Sequence, residues 1–288
     1  MTRPRELPRL LSLDAFRGLA LVGMILVNVP GADVWPQLRH AAWDGLTAAD
    51  VVFPAFLFAM GASLAFGNPP TAIRTVRRVV VLAGAGLLVN YAATGNPWRY
   101  PGVLQRIAFD YLLASAIIRL PRRAVAVVVL ALLAGYTLAL HRYGATPTRS
   151  LESTVDVAVF GRSHLLFGAR YDPEGLVSSV ASLATVLIGF LVGSWMRESP
   201  RTWGTAVRLG AVAIALGLLA WPTTTLTALN KRLWTPSYTL ATAAICASAL
   251  ALMLLVCDVG RRRLRWAGVP LAVIGANSLV VYVGSELA

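Results

Sequence analysis

The apolar positions of the chain gather into nine long runs, at about 13–31, 48–67, 77–94, 103–119, 122–140, 174–196, 204–221, 236–257 and 268–286. A helix that crosses the hydrocarbon layer needs about 20 mostly apolar residues, so each run predicts a span. Short polar connectors divide most of them, several with proline: Asn68-Pro69-Pro70, Asn96-Pro97, Leu120-Pro121 and Ser199-Pro200. Proline cannot donate a backbone hydrogen bond and crowds the residue before it, so a helix stops there. No repeat links the runs, which gives no support to an inverted-repeat transporter. The fold class expected is all-α: a polytopic transmembrane helix bundle of about nine spans, as one domain over residues 1–288.

The connectors alternate in charge. Segments 1–17, 68–78, 119–123, 197–208 and 258–265 hold 17 of the 26 cations, all arginine, from Arg3 to Arg265. The opposite segments hold most acids: Asp33, Asp44, Asp50, Glu152, Asp156, Asp172, Glu174 and Glu286. Cationic loops stay cytoplasmic, so the N-terminus is expected inside and, after nine spans, the C-terminus outside. Asp14 and Arg17 interrupt the first run and no small-residue cleavage site follows it, so it reads as a retained span and not a signal peptide. The largest piece between spans, 141–173, carries His141 and His164 and is too short and apolar-poor for a separate domain.

Composition agrees with a membrane protein. Hydrophobic residues make up 57% and charged residues 14%, against about 25% charged in soluble domains, and the mean hydropathy is +0.67. The net charge of +13 would suggest nucleic acid in a soluble chain. Here it sits mainly on the inner rim, so the expected partners are membrane lipids and no nucleic acid. Lys231 is the only lysine. Cys246 and Cys257 are eleven residues apart in one run, roughly 16 Å along a helix, beyond disulfide reach.

Candidate chemistry lies on the outer side. His40 is pressed between two spans by a short loop and can exchange protons near neutrality or carry an acyl group. Asp44, four residues on, can orient the ring if that stretch is helical. Thr47-x-x-Asp50 before an apolar run is a capping box, which alone accounts for Asp50. Asp172-Pro173-Glu174 reads as an N-cap, first-turn proline and first-turn acid. Within the fourth span Arg106 and Asp110 are spaced to pair, and Asp14 and Arg17 read as a solvated pair at the inner end of the first. Asn28 can bond another helix. Asn230-Lys231-Arg232-Leu233-Trp234-Thr235-Pro236-Ser237-Tyr238 offers a cation pair and two rings to an anionic or sugar-like ligand, or anchors at the interface. Gly84-Ala85-Gly86 reads as helix packing, and no motif calls for a metal.

Several of these stretches resemble one family. Arg9-Leu10-Leu11-Ser12-Leu13-Asp14-Ala15-Phe16-Arg17-Gly18 is similar to its opening motif, and His40-Ala41-Ala42-Trp43-Asp44-Gly45-Leu46-Thr47-Ala48-Ala49-Asp50, running into Phe53-Pro54, to its histidine signature. Tyr171-Asp172-Pro173-Glu174-Gly175, Asn230-Lys231-Arg232-Leu233-Trp234 and Asn277-Ser278-Leu279-Val280-Val281-Tyr282 follow in the family's order. The family is heparan-α-glucosaminide N-acetyltransferase with its bacterial homologues, multi-span membrane acyltransferases.

The resemblance implies transfer of an acetyl or other acyl group from cytoplasmic acetyl-CoA, as co-substrate, to an amino or hydroxyl group of a sugar or glycan outside. It puts the active histidine at His40 and its active-site asparagine at Asn28, with one extra residue in the loop between. Asp44 and Asp50 join them as catalytic candidates, and Arg17, Asp14 and Arg106 as the cofactor side. Asp172, Glu174, Asn230, Lys231, Trp234, Asn277 and Tyr282 are the expected substrate contacts. His40 can act as general base in a ternary complex or carry the acyl group itself. The expected setting is a bacterial inner membrane with an envelope glycan as acceptor, and a homodimer is compatible with it. Family members usually continue beyond the Asn277–Tyr282 motif, so a shortened chain, or a piece of a longer one, is expected. The competing function is a transporter or flippase for a sugar-containing lipid or envelope precursor, with Arg106 and Asp110 as its polar site.

Overall fold

The computed structural model describes residues 10–28, 34–95, 99–147, 149–166, 172–260 and 262–287. Arg3, Arg5, Arg9, Asp33, Tyr171, Arg261 and the expected end of the first span at 29–31 lie outside the described residues, as do the side chains of Arg262 and Arg263.

The protein is a helical bundle. Its helices are α1 (Leu11–Asn28), α2 (Ala48–Phe66), α3 (Ala72–Thr94), α4 (Val103–Ile117), α5 (Arg122–Tyr143), α6 (Leu151–Phe160), α7 (Leu176–Glu198), α8 (Trp203–Thr223), α9 (Pro236–Met253), α10 (Arg262–Ala276) and α11 (Ser278–Leu287). Among the described residues six helices are long and apolar enough to cross a membrane, α1, α2, α5, α7, α8 and α9 with its extension to Val259; α10 and α11 make a seventh if their bent pair is one span. This is an all-α membrane protein. The expected third and fourth spans are α3, which starts early enough to take in Arg74, Arg77 and Arg78, and the 15-residue α4 with Arg106 and Asp110. The expected ninth span is broken: α10 and α11 meet at 73° around Asn277. Segment 141–173 holds α6 and a two-stranded hairpin, Ala145–Thr146 with Arg149–Ser150.

The centre is the α2–α7 pair. A Cβ on Gly61 would collide with the Val186 carbonyl, and one on Gly189 or Gly193 with the carbonyls of Phe58 or Ala62. Lipid supplies no hydrophobic drive between helices, so such backbone contact is how spans gain packing energy. Gly18 and Gly275 interlock α1 and α10 in the same way, against the carbonyls of Leu271 and Asp14. Gly86 is packed against the Gln105 side chain, as the small-residue reading expects, while Gly84 faces open space. Cys246 and Cys257 are both free and buried.

Candidate active site

Two loops meet above α2 and α9. In the first, 39–47, Gly45 adopts φ +128°, open only to glycine without strain, and its N–H reaches the Leu229 carbonyl at 2.7 Å. In the second, 229–235, the Asn230 side chain accepts from the Leu233 N–H at 2.9 Å and donates to Asp44 Oδ1 at 3.1 Å. Asp44 therefore braces the second loop. The stretch between His40 and Asp44 is not helical, so Asp44 does not orient the ring.

Asp50 does. Its Oδ1 lies 2.9 Å from His40 Nδ1, while Oδ2 accepts from the N–H groups of Ala41 and Thr47, each at 3.1 Å, and from Thr47 Oγ1 at 3.0 Å. The capping box is present, and the same carboxylate serves the histidine. Asp50 is 1% exposed and the His40 side chain 43%, so a buried acid holds an open ring. Lys231 Nζ stands 3.1 and 3.3 Å from the two ring nitrogens and 3.9 Å from Asp50 Oδ1. Burial, together with the cations Arg106 and Arg232, brings the Lys231 amine down to about 8 against the pull of Asp50 and Glu174.

Trp234 closes the floor. It is fully buried at φ +57°, donates to Thr185 Oγ1 at 3.0 Å and stands edge-on to Phe53 and Tyr238. Its ring has no open face for a sugar, contrary to the stacking expected of it; it carries the Arg106 guanidinium at 4.9 Å instead. Tyr238 donates to the Asp50 carbonyl and Tyr136 to the Leu233 carbonyl, both at 2.5 Å. Tyr238, expected as a ring for the ligand, is fully buried and holds the loop instead; Tyr136 had no signal, because an apolar run does not reveal which of its hydroxyls point at a loop.

A second polar group lies beside it. Arg99 binds Asp172 Oδ1 at 3.0 Å and Glu174 Oε2 at 2.9 Å. Asp172 is not the expected N-cap, since α7 starts at Leu176 behind Gly175. It is fully buried, and although burial opposes its charge, the Arg99 guanidinium holds its carboxyl below the usual range. Burial and the neighbouring Asp172 raise Glu174. Burial likewise raises Asp156 to about 6, against the N–H groups of Leu176 and Asp172 that it accepts. Arg106 does not form the expected pair with Asp110: it bonds Ser178, Ser179 and the Pro173 carbonyl, and Asp110 accepts from Ser182 at 2.7 Å. Four residues on a helix bring the two near, but the hydroxyls of α7 are better placed. Arg99 itself had a signal in the sequence, since two buried acids either side of Pro173 require a cation.

A cavity of about 550 Å³ reaches past Gly67, at the far end of α2 from Asp50. Arg17, Arg74, Arg77 and Arg78 line one part, and Met24, Phe56, Met60, Leu104, Ile107 and Tyr282 are among its apolar and aromatic walls. Arg17 pairs with Asp14 at 2.9 Å and donates to the Gly275 carbonyl at 2.6 Å, next to the break between α10 and α11. The Asp14–Arg17 pair is thus half-buried and tied to a third helix, where a solvated pair was expected. Arg106 does not line this cavity. Asn277 is exposed at the break and bonds the Val273 carbonyl, and Asn28 donates to Glu286 at 2.5 Å, away from the ring contacts of His40. A smaller cavity of about 190 Å³ beside the two loops is lined by Asp44, His141, Thr227 and Asn230.

Comparison with known proteins places these features in context. A model of the catalytic region of heparan-alpha-glucosaminide N-acetyltransferase matches residues 9–220. The human heparan-alpha-glucosaminide N-acetyltransferase is 28% identical over 97% of this chain and 53% of its own length. The mouse protein of the same name is 27% identical over 99% of this chain and 54% of its own. The chain thus spans about half the length of the curated relatives it matches.

Proposed function

The chain belongs to the heparan-alpha-glucosaminide N-acetyltransferase family, and on that premise we propose that it moves an acetyl group from cytoplasmic acetyl-CoA to an amino or hydroxyl group of a sugar or glycan outside. The observation that carries the reading is the Asp50–His40 contact at 2.9 Å. A carboxylate that accepts from Nδ1–H fixes the tautomer and leaves the Nε2 lone pair free as a base. Asp50 is the positioning residue, and Nε2 takes the proton of the acceptor as its nitrogen or oxygen attacks the thioester carbon.

The donor enters from the arginine side. Arg17, Arg74, Arg77 and Arg78 suit the phosphates of CoA, and the apolar walls beyond them suit its extended arm. The acceptor approaches from the outer face, past Asp44 and Asn230. Lys231 favours direct transfer in a ternary complex. An acyl group resting on Nε2 would lie beside the Lys231 amine, 3.3 Å from that nitrogen, and would be lost to a stable amide.

The test is acetyl transfer from acetyl-CoA to glucosamine by the purified protein in lipid nanodiscs. His40→Ala should abolish it, and transfer that persists in the variant would overturn the assignment. Proteoliposomes with donor and acceptor on opposite sides test the sidedness. Counterflow of a sugar lipid without any CoA would support the transporter instead.

A further inference from the structure

We propose that Lys231 is the acid that protonates the departing thiolate of CoA, a role that rests on the acetyl-transfer reading above. The chain has 26 cations and a single lysine, and that lysine is the one beside His40. A guanidinium stays charged and cannot hand over a proton, whereas an ammonium can. The one cation able to do so stands where a proton is needed.

The geometry supports the role. Nζ is nearly equidistant from the two ring nitrogens, at 3.1 and 3.3 Å. A group so placed cannot lie in the ring plane without striking the carbon between those nitrogens, so it lies over the ring face. The in-plane lone pair of Nε2 stays open to the acceptor while the ammonium overhangs the space beside it. The charged groups facing Nζ are Asp50 on α2, Glu174 ahead of α7, Arg106 on α4 and Arg232 on its own loop. With burial they leave the amine near 8, close to the ~8.5 of a simple thiol. Between such matched groups a proton passes at little cost in either direction.

A neutral amine of the acceptor attacks the thioester carbon; the C–N bond forms and the C–S bond breaks. The amine's proton goes to His40 Nε2, and a Lys231 proton goes to the thiolate sulfur. The imidazolium then gives its proton to water at its exposed edge, and the Lys231 amine takes one from water, which restores both groups.

The test compares two donors in one protein: acetyl-CoA, and an acetyl thioester of a nitro-substituted thiophenol whose thiolate leaves unprotonated, each with glucosamine. Lys231→Met and Lys231→Arg should lose about 100-fold in kcat with acetyl-CoA and less than about 5-fold with the activated thioester. The wild-type rate with acetyl-CoA should fall as pH rises through about 8, and Lys231→Arg should lack that limb. Equal losses with both donors, or no loss with either, would overturn the proposal. The variants are compared at matched unfolding midpoints; should Lys231→Met unfold, Lys231→Arg, which keeps the cation, decides it. A wild-type protein inactive with both donors would overturn the acetyltransferase reading itself, so the two failures are distinct.

Discussion

Asp50 faces His40 with one carboxylate oxygen, at 2.9 Å, and caps its own helix with the other. Catalytic orientation and helix stability therefore depend on the same side chain, and substitution can separate them. Asp50→Asn keeps an acceptor for the cap but removes the charge that opposes an imidazolium. It should lower kcat by about 100-fold or more with little change in unfolding midpoint. Asp50→Ala should add a stability loss of about 1 kcal/mol or more. A wild-type kcat in both variants, with unequal midpoints, would confine Asp50 to the cap.

Trp234 supports the loop that carries Lys231. Trp234→Ala removes a fully buried ring and the seat of the Arg106 guanidinium. A loss of about 3–5 kcal/mol is expected, measured by denaturant titration in detergent. Trp234→Phe keeps the edge-on packing but not the bond to Thr185, and should cost about 1 kcal/mol.

The buried acids near Arg99 give a pH signature. The Asp156 carboxyl titrates near 6 in the folded protein and near ~3.9 unfolded. The folded state therefore binds more protons between those values, so this group's contribution falls as pH rises from about 4 to about 6. The stability difference between wild type and Asp156→Asn should shrink over that window by roughly 2 kcal/mol, followed by midpoints at stepped pH. Arg99→Met is the opposite case. It strands two carboxylates and should cost about 3–5 kcal/mol, most of it at neutral pH.

Much of this was legible in the chain. Long apolar runs marked the helices, because lipid leaves the backbone no partner but itself, but not how many span: among the described residues six do by length and apolarity, or seven with the bent pair. The capping box and the isolated histidine were visible for the same reason: each is a local pattern. What stayed hidden depends on three-dimensional neighbours. Asp44 stood four residues from His40 and looked like its partner, yet the irregular loop gave that place to Asp50 and sent Asp44 to Asn230, far along the chain. Arg106 matched Asp110 in spacing, but three groups around α7 outcompeted it. The break at Asn277 had no proline or charge to announce it.

The arginine-lined cavity predicts a split between binding and turnover. Arg78 lies over the Tyr111 ring at 4.5 Å and lines the cavity with Arg74 and Arg77. Arg78→Ala should raise the KM for acetyl-CoA about 10-fold and leave kcat nearly unchanged, since phosphates far from the thioester contribute uniform binding. The effect should weaken at high salt. A fall in kcat alone would place Arg78 outside donor binding.

The glycine contacts between α2 and α7 bear on how two sides of a membrane can be served in turn. With carbonyls against glycines at Gly61, Gly189 and Gly193, these helices cannot slide past one another without backbone collision. They act as one strut, with Asp50 near one end and the Arg197 bond to the Ala65 carbonyl near the other. Any gate must therefore swing about this strut, on the looser packing of α3, α4 and α11. The acid that aims the histidine is then part of the fixed frame, and the passage to it is the part free to move.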